Sequence, residues 1–184
     1  MLRDDRESYG SVTKTLHWLL VLLIAGMLVV GYVMADMPDG DPTKGFLIHL
    51  HASTGFLVLV LAVLLILWRL VNPRPSLASL PGWQRGMAHM THGLLYLMLI
   101  LQPILGILVI NSSGHPVNVY WLFNLPAIAG KSKATAHTVL EIHEIVAGVL
   151  IGVVALHLLG ALSHQFISRD GVLQRMLPGG KRPQ

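Results

Sequence analysis

Cysteine does not occur in this chain of 184 residues. Its absence excludes disulfides, cysteine-ligated zinc, iron–sulfur clusters and thiolate chemistry. Charge is also scarce: 12% of the residues are charged, about half the share usual in a soluble domain. Acidic side chains are the rarer sign, 9 against 13 lysines and arginines. What replaces charge is apolar bulk, 53% of the residues, with a mean hydropathy of +0.64. Lipid is therefore the expected solvent, and one compact unit is expected at this length. The net charge of +4 and the pI near 9.7 would suit nucleic acid on a soluble chain. Here the basic residues cluster between apolar spans, so they read as membrane topology and no nucleic-acid partner is expected.

Four apolar stretches, at about residues 15–35, 48–71, 90–110 and 142–167, each reach the roughly 20 residues a spanning helix needs. Pro38 and Pro42, Pro73 and Pro75, and Pro116 and Pro126 mark the loops between them. The expected fold is an all-α membrane protein, a single four-helix transmembrane bundle over residues 1–184. Val33-Met34-Ala35 resembles a signal-peptide cleavage site, but the apolar region before it is too long, and the first span is expected to be retained. Orientation follows from the basic residues. Arg3, Arg6, Lys14, Arg69, Arg74, Arg85, Arg169, Arg175, Lys181 and Arg182 fall on one side, and only Lys44, Lys131 and Lys133 on the other. That bias places both termini and the second loop in the cytoplasm, and the loops 36–41 and 111–137 outside.

Histidine is plentiful, with ten in the chain. His143 and His157 stand fourteen residues apart in the last span. At about 100° and 1.5 Å per residue they leave one helix face roughly 21 Å apart, most of the way across a hydrocarbon core of about 30 Å. His17 begins the first span on the cytoplasmic side, and His51 begins the second on the outer side. Depth thus matches His17 with His157 and His51 with His143, one pair per leaflet. His49 competes with His51, but two residues apart they face about 200° away from each other, so only one points inward. The small residues Ala52-Ser53-Thr54-Gly55 leave room for a flat cofactor and favour His51. Imidazole suits iron, copper and zinc, and two histidines on facing helices can hold a haem iron from both sides. With both axial positions filled, such iron carries electrons and does not bind oxygen.

Thr15-Leu16-His17-Trp18, His51-Ala-Ser-Thr-Gly55, Trp68-Arg69-Leu70, Ala88-His89-Met-Thr-His92-Gly-Leu-Leu-Tyr96, Glu141-Ile-His143-Glu144 and Ala155-Leu156-His157 together resemble the bacterial cytochrome b561 family, over nearly the whole chain. The resemblance implies a bacterial inner-membrane protein with two b-type haems in the bundle core. It implies His17 and His157 as ligands of the cytoplasmic-side haem, and His51 and His143 as ligands of the periplasmic-side haem. It also implies ubiquinone as co-substrate. Oxidation of superoxide with quinone reduction is an activity associated with this kind of cytochrome.

Further candidates surround these four. His89 and His92, three apart on one face of the third span, could line a quinone pocket or touch haem propionates, and so could Arg69 and Arg74. His115, Lys131 and Lys133 on the outer loop could steer a small anion such as superoxide. Gln102-Pro103 is expected to kink the third span, with the amide satisfying the freed carbonyl. Trp18, Trp68, Trp83 and Trp121 read as interfacial anchors. Gly26, Gly31, Gly55, Gly106, Gly148, Gly152 and Gly160 read as sites of close helix or haem packing. The expected function is di-haem electron transfer between a small periplasmic reactant and the quinone pool. One rival is a cytochrome subunit serving a protein redox partner, and another is a histidine-lined metal or proton transporter without haem.

Overall fold

In hydrocarbon every backbone N–H and C=O must be satisfied internally, which leaves an apolar chain little choice but long helices. A computed structural model, which describes residues 1–6, 8–73, 75–76 and 80–179, has four of them. They are α1 (Ser11–Ala35), α2 (Pro42–Val71), α3 (Gly82–Ser112) and α4 (Lys133–Ser163). A short π-helical stretch, His164–Ser168, continues α4. All four are long and apolar enough to cross a membrane. Each begins ahead of its apolar stretch, and at α2 and α4 a capping side chain marks the start. The Asp41 carboxylate accepts from the Thr43 N–H, with Pro42 in the first turn, and the Ser132 hydroxyl accepts from the Thr135 N–H. Arg74, Lys181 and Arg182 lie outside the described residues.

The helices pack in sequence order, α1 on α2, α2 on α3 and α3 on α4. Leu20, Val58, Ala62, Leu65 and Leu99 fill the α1–α2–α3 interior. Met98, Leu150 and Val153 fill the α3–α4 seam, and Ile24 of α1 touches both groups. Among the described residues no comparable seam joins α1 to α4, so the interior is loosest between α4 and the α1–α2 side. Leu22, Val29, Leu64, Leu67, Leu159 and others stay exposed; an apolar exterior of this kind is what lipid covers.

Within the all-α fold, the loop between α3 and α4 carries a little strand structure. Asn118–Val119 and Phe123–Asn124 form a small antiparallel hairpin. Its turn residues Tyr120 and Trp121 are left-handed, with φ of 48° and 61°. Such a turn usually announces itself by Asn or Gly, and a Tyr-Trp turn gives no such signal. Contacts with α2 hold it. Tyr120 N–H donates to Ser53 Oγ (3.0 Å), the Tyr120 hydroxyl pairs with that of Thr54 (3.0 Å), and His49 Nε2 meets Asn118 Oδ1 (3.1 Å). Trp121 stacks on the His49 ring, centroids 4.1 Å apart. Ser53 thus bonds the hairpin, donating to the Asn118 carbonyl, and buried Gly55 has Met27 of α1 beside it.

At the opposite end the N-terminal arm folds back on α1. Met1 and Leu2 carbonyls accept from the Ser11 and Val12 N–H groups, which lack a side-chain cap. The buried Asp4 carboxyl accepts from Gly10 N–H (2.7 Å) and from the Thr13 hydroxyl (2.7 and 2.9 Å). Gly10 is required here: a Cβ would lie 2.4 Å from the Leu2 carbonyl oxygen. Trp68 Nε1 donates to Thr13 Oγ1, and Trp18 Nε1 to the Met176 carbonyl in the C-terminal segment. These two indoles thus bind protein rather than the membrane interface, whereas Trp83 and Trp121 are largely exposed. Thr13 is fully buried and serves both Asp4 and Trp68. Thr13→Val should cost about 1–3 kcal/mol by stranding buried polar groups, seen as a lower melting temperature in detergent, and Thr13→Ser should restore most of it.

Candidate functional site

Helix α4 presents His143 and His157 to two different neighbours. His157 faces His17 of α1, with ring centroids 6.2 Å apart and planes at 56°. His143 faces His51 of α2, with centroids 6.3 Å apart and planes at 73°. All four rings are partly buried, and Nδ1 of His17, His51 and His143 is buried without a hydrogen-bond partner. These pairs bridge the loosest part of the interior, between α4 and the α1–α2 side.

The spacing can be tested against a shared metal. A metal–imidazole bond of about 2.0–2.1 Å, with roughly 1.1 Å more from nitrogen to ring centre on each side, separates two trans rings by about 6.4 Å. Both pairs match. Among the described residues no three or more His, Asp or Glu side chains gather around one point as a bare ion needs. A haem brings four equatorial nitrogens of its own and asks the protein for two axial ligands, so paired histidines fit it.

Two glycines border the His51–His143 pair. A Cβ at Gly31 of α1 would lie 3.5 Å from His51 Cε1, and one at Gly106 of α3 would lie 3.5 Å from His143 Cε1. At Gly26, Gly148, Gly152 and Gly160 a Cβ would meet nothing within 4 Å, so close helix packing is not what those glycines serve.

The structure separates the remaining candidates. His89 and His92 are both exposed on α3, but the His92 ring reaches the His17–His157 pair, 5.2 Å from that of His157. Arg69 is partly buried under the Tyr9 ring, 4.7 Å from its centre, with Nε buried and unpartnered. His49 is engaged by the hairpin. The Lys131 side chain lies over Gly114, where a Cβ would meet its Cδ at 2.7 Å, and His115 follows directly; Lys131, Lys133 and His115 are all exposed. Gln102 does not serve the carbonyl that Pro103 frees. Its Nε2 donates instead to the His143 carbonyl on α4 (2.9 Å), because that acceptor lies across the α3–α4 seam. Sequence reasoning also missed His164, whose Nδ1 lies 2.6 Å from Asp170 Oδ2. Its spacing of seven from His157 puts it on the same helix face, a signal that was available.

Comparison with known proteins agrees with this geometry. Residues 8–179 match the family described as prokaryotic cytochrome b561. Cytochrome b561 homolog 2 of Escherichia coli K12 is 32% identical over 93% of this chain and 92% of its own length. A probable superoxide oxidase, CybB, of Yersinia pestis is 28% identical over 94% and 97%, and cytochrome b561 homolog 1 of E. coli K12 is 28% identical over 90% and 94%. A family match along nearly the whole chain carries with it b-type haem and a bacterial membrane. The chain belongs to the prokaryotic cytochrome b561 family and is a membrane cytochrome b of electron transfer.

Proposed function

We propose that the chain binds two b-type haems, one between His17 and His157 and one between His51 and His143, and passes electrons between a small periplasmic reactant and the membrane quinone pool. The observation that carries this reading is the repetition: two imidazole pairs with nearly equal separations, 6.2 and 6.3 Å, at two depths of one helix. When bound, haem with two axial histidines supplies one-electron cycling of iron without an open coordination site. Splitting the crossing into two stations shortens each electron jump.

The basic-residue bias supports an inner-membrane protein with cytoplasmic termini, which makes the His51–His143 pair periplasmic. On that side Lys131, Lys133 and His115 form an exposed basic surface, suited to an anion; the name of the Yersinia relative points to superoxide. Each superoxide gives up one electron and leaves as dioxygen. Quinone takes up two electrons and two protons to become quinol, so its site needs proton donors. In this reading His92, beside His157, and the His164–Asp170 pair beyond it hold and deliver those protons, the carboxylate orienting its imidazole. Arg69, cationic and half buried near His17 and His92, suits a haem propionate or a quinone carbonyl, the role proposed also for Arg74.

Haem-to-protein stoichiometry of purified variants tests the ligand set. His17→Ala and His157→Ala should each reduce two haems per chain to one, losing the same haem; His51→Ala and His143→Ala should lose the other. Four variants that all keep two haems would overturn it. Anaerobic reduction tests the substrates. Superoxide and a ubiquinol analogue should each reduce the haems, and superoxide should do so several-fold more slowly in Lys131→Glu/Lys133→Glu. Because exposed charges act through a screened field, that difference should shrink at high salt. Equal rates in the wild type and the double variant at low salt would remove the steering role.

A further inference from the structure

Gln102 is a primary amide in the middle of an apolar run, Leu99-Ile100-Leu101-Gln102-Pro103-Ile104-Leu105, at a depth where an unsatisfied polar group is costly. Its Nε2 donates across the α3–α4 seam to the backbone carbonyl of His143 at 2.9 Å. A carbonyl oxygen has two lone pairs, so this bond adds to the one within α4. The His143 ring turns back toward α3. A Cβ at Gly106, one turn beyond Gln102, would lie 3.5 Å from its Cε1 and 3.9 Å from its Nδ1. Nδ1 is buried there without a hydrogen-bond partner. Gln102 therefore holds the backbone of His143, while Gly106, one turn further along α3, lies before its ring.

We propose that Gln102 is a positioning residue for His143: it fixes the helix register and ring orientation of one outer imidazole and, with Gly106, keeps Nδ1 toward the α3 backbone so that Nε2 is left for the metal. An Nδ1–H held toward a carbonyl sets both the tautomer and the basicity of the ligating nitrogen. Neither inner ring has this arrangement. His157 packs against His92 and His17 against Trp18, and the outer partner His51 lies against Gly31. The amide therefore acts on one ligand of four. The inference rests on the reading of His143 as an axial ligand.

The test is a redox titration of the purified two-haem protein, with low-temperature EPR of its ferric low-spin signals. The outer haem is identified as the one missing from His51→Ala. Gln102→Met keeps length without a donor, and Gln102→Glu keeps shape but turns an acceptor toward the His143 carbonyl. Both variants should shift the midpoint potential and low-spin g values of the outer haem while leaving the inner haem at its wild-type values, with the Glu variant shifted more. Loss of the outer haem alone is the stronger form of the same result. Wild-type potentials and spectra in both variants, or equal shifts of both haems, would overturn the positioning role. A His143→Ala protein that keeps its outer haem would instead overturn the ligand assignment, whatever the Gln102 variants do.

Discussion

An imidazole in a hydrocarbon layer is tolerated only where its nitrogens find partners, and this bundle is arranged around four of them. Helix α4 carries two on one face, and α1 and α2 each bring one to meet them. Apolar packing is densest along the α1–α2–α3 interior and the α3–α4 seam, and loosest where the pairs stand. A continuous apolar core across that gap would have closed the space that a flat cofactor needs. The interior is thus divided: aliphatic side chains hold the helices, and the paired histidines line the volume left between α4 and the α1–α2 side.

The two ends of the bundle are finished in different ways. On the proposed outer side, the strained Tyr120–Trp121 turn is held onto α2 by Ser53, Thr54 and His49, all within three residues of His51. Left-handed backbone at two bulky residues persists only where surrounding contacts over-determine it. At the opposite end the N-terminal arm caps α1 through Asp4 and Thr13, and the C-terminal segment accepts bonds from Lys14 and Trp18. Both terminal segments therefore gather around the entrance of α1, a few residues from His17. Each histidine pair has a structured collar beside it, which keeps its surroundings defined although the extramembrane chain is short.

Family membership fits this economy. A cytochrome b of the b561 type needs little beyond four helices, because the chemistry is supplied by haem and the protein supplies ligands, depth and exclusion of solvent. Around the histidine pairs stand further polar and aromatic contacts: His92 against His157, Arg69 over the Tyr9 ring, and Gln102 on the His143 carbonyl.

The amino-acid sequence by itself determined the four spans, because hydropathy over about 20 residues is a local property and the bilayer sets the length. It also determined the depth of each histidine, because rise per residue is constant in a helix. Neither inference requires knowing which helices are neighbours. Everything that depends on neighbours was decided by the tertiary structure. The hairpin claims His49 and leaves His51 facing His143; His92 touches the ring of His157; Trp18 and Trp68 bind protein and not the interface. Gln102, which sequence alone assigned to its own helix, serves α4 instead. The reason is physical: a helix's sequence specifies which residues share a face, but the rotation of that face toward a partner is set by packing among all four helices at once.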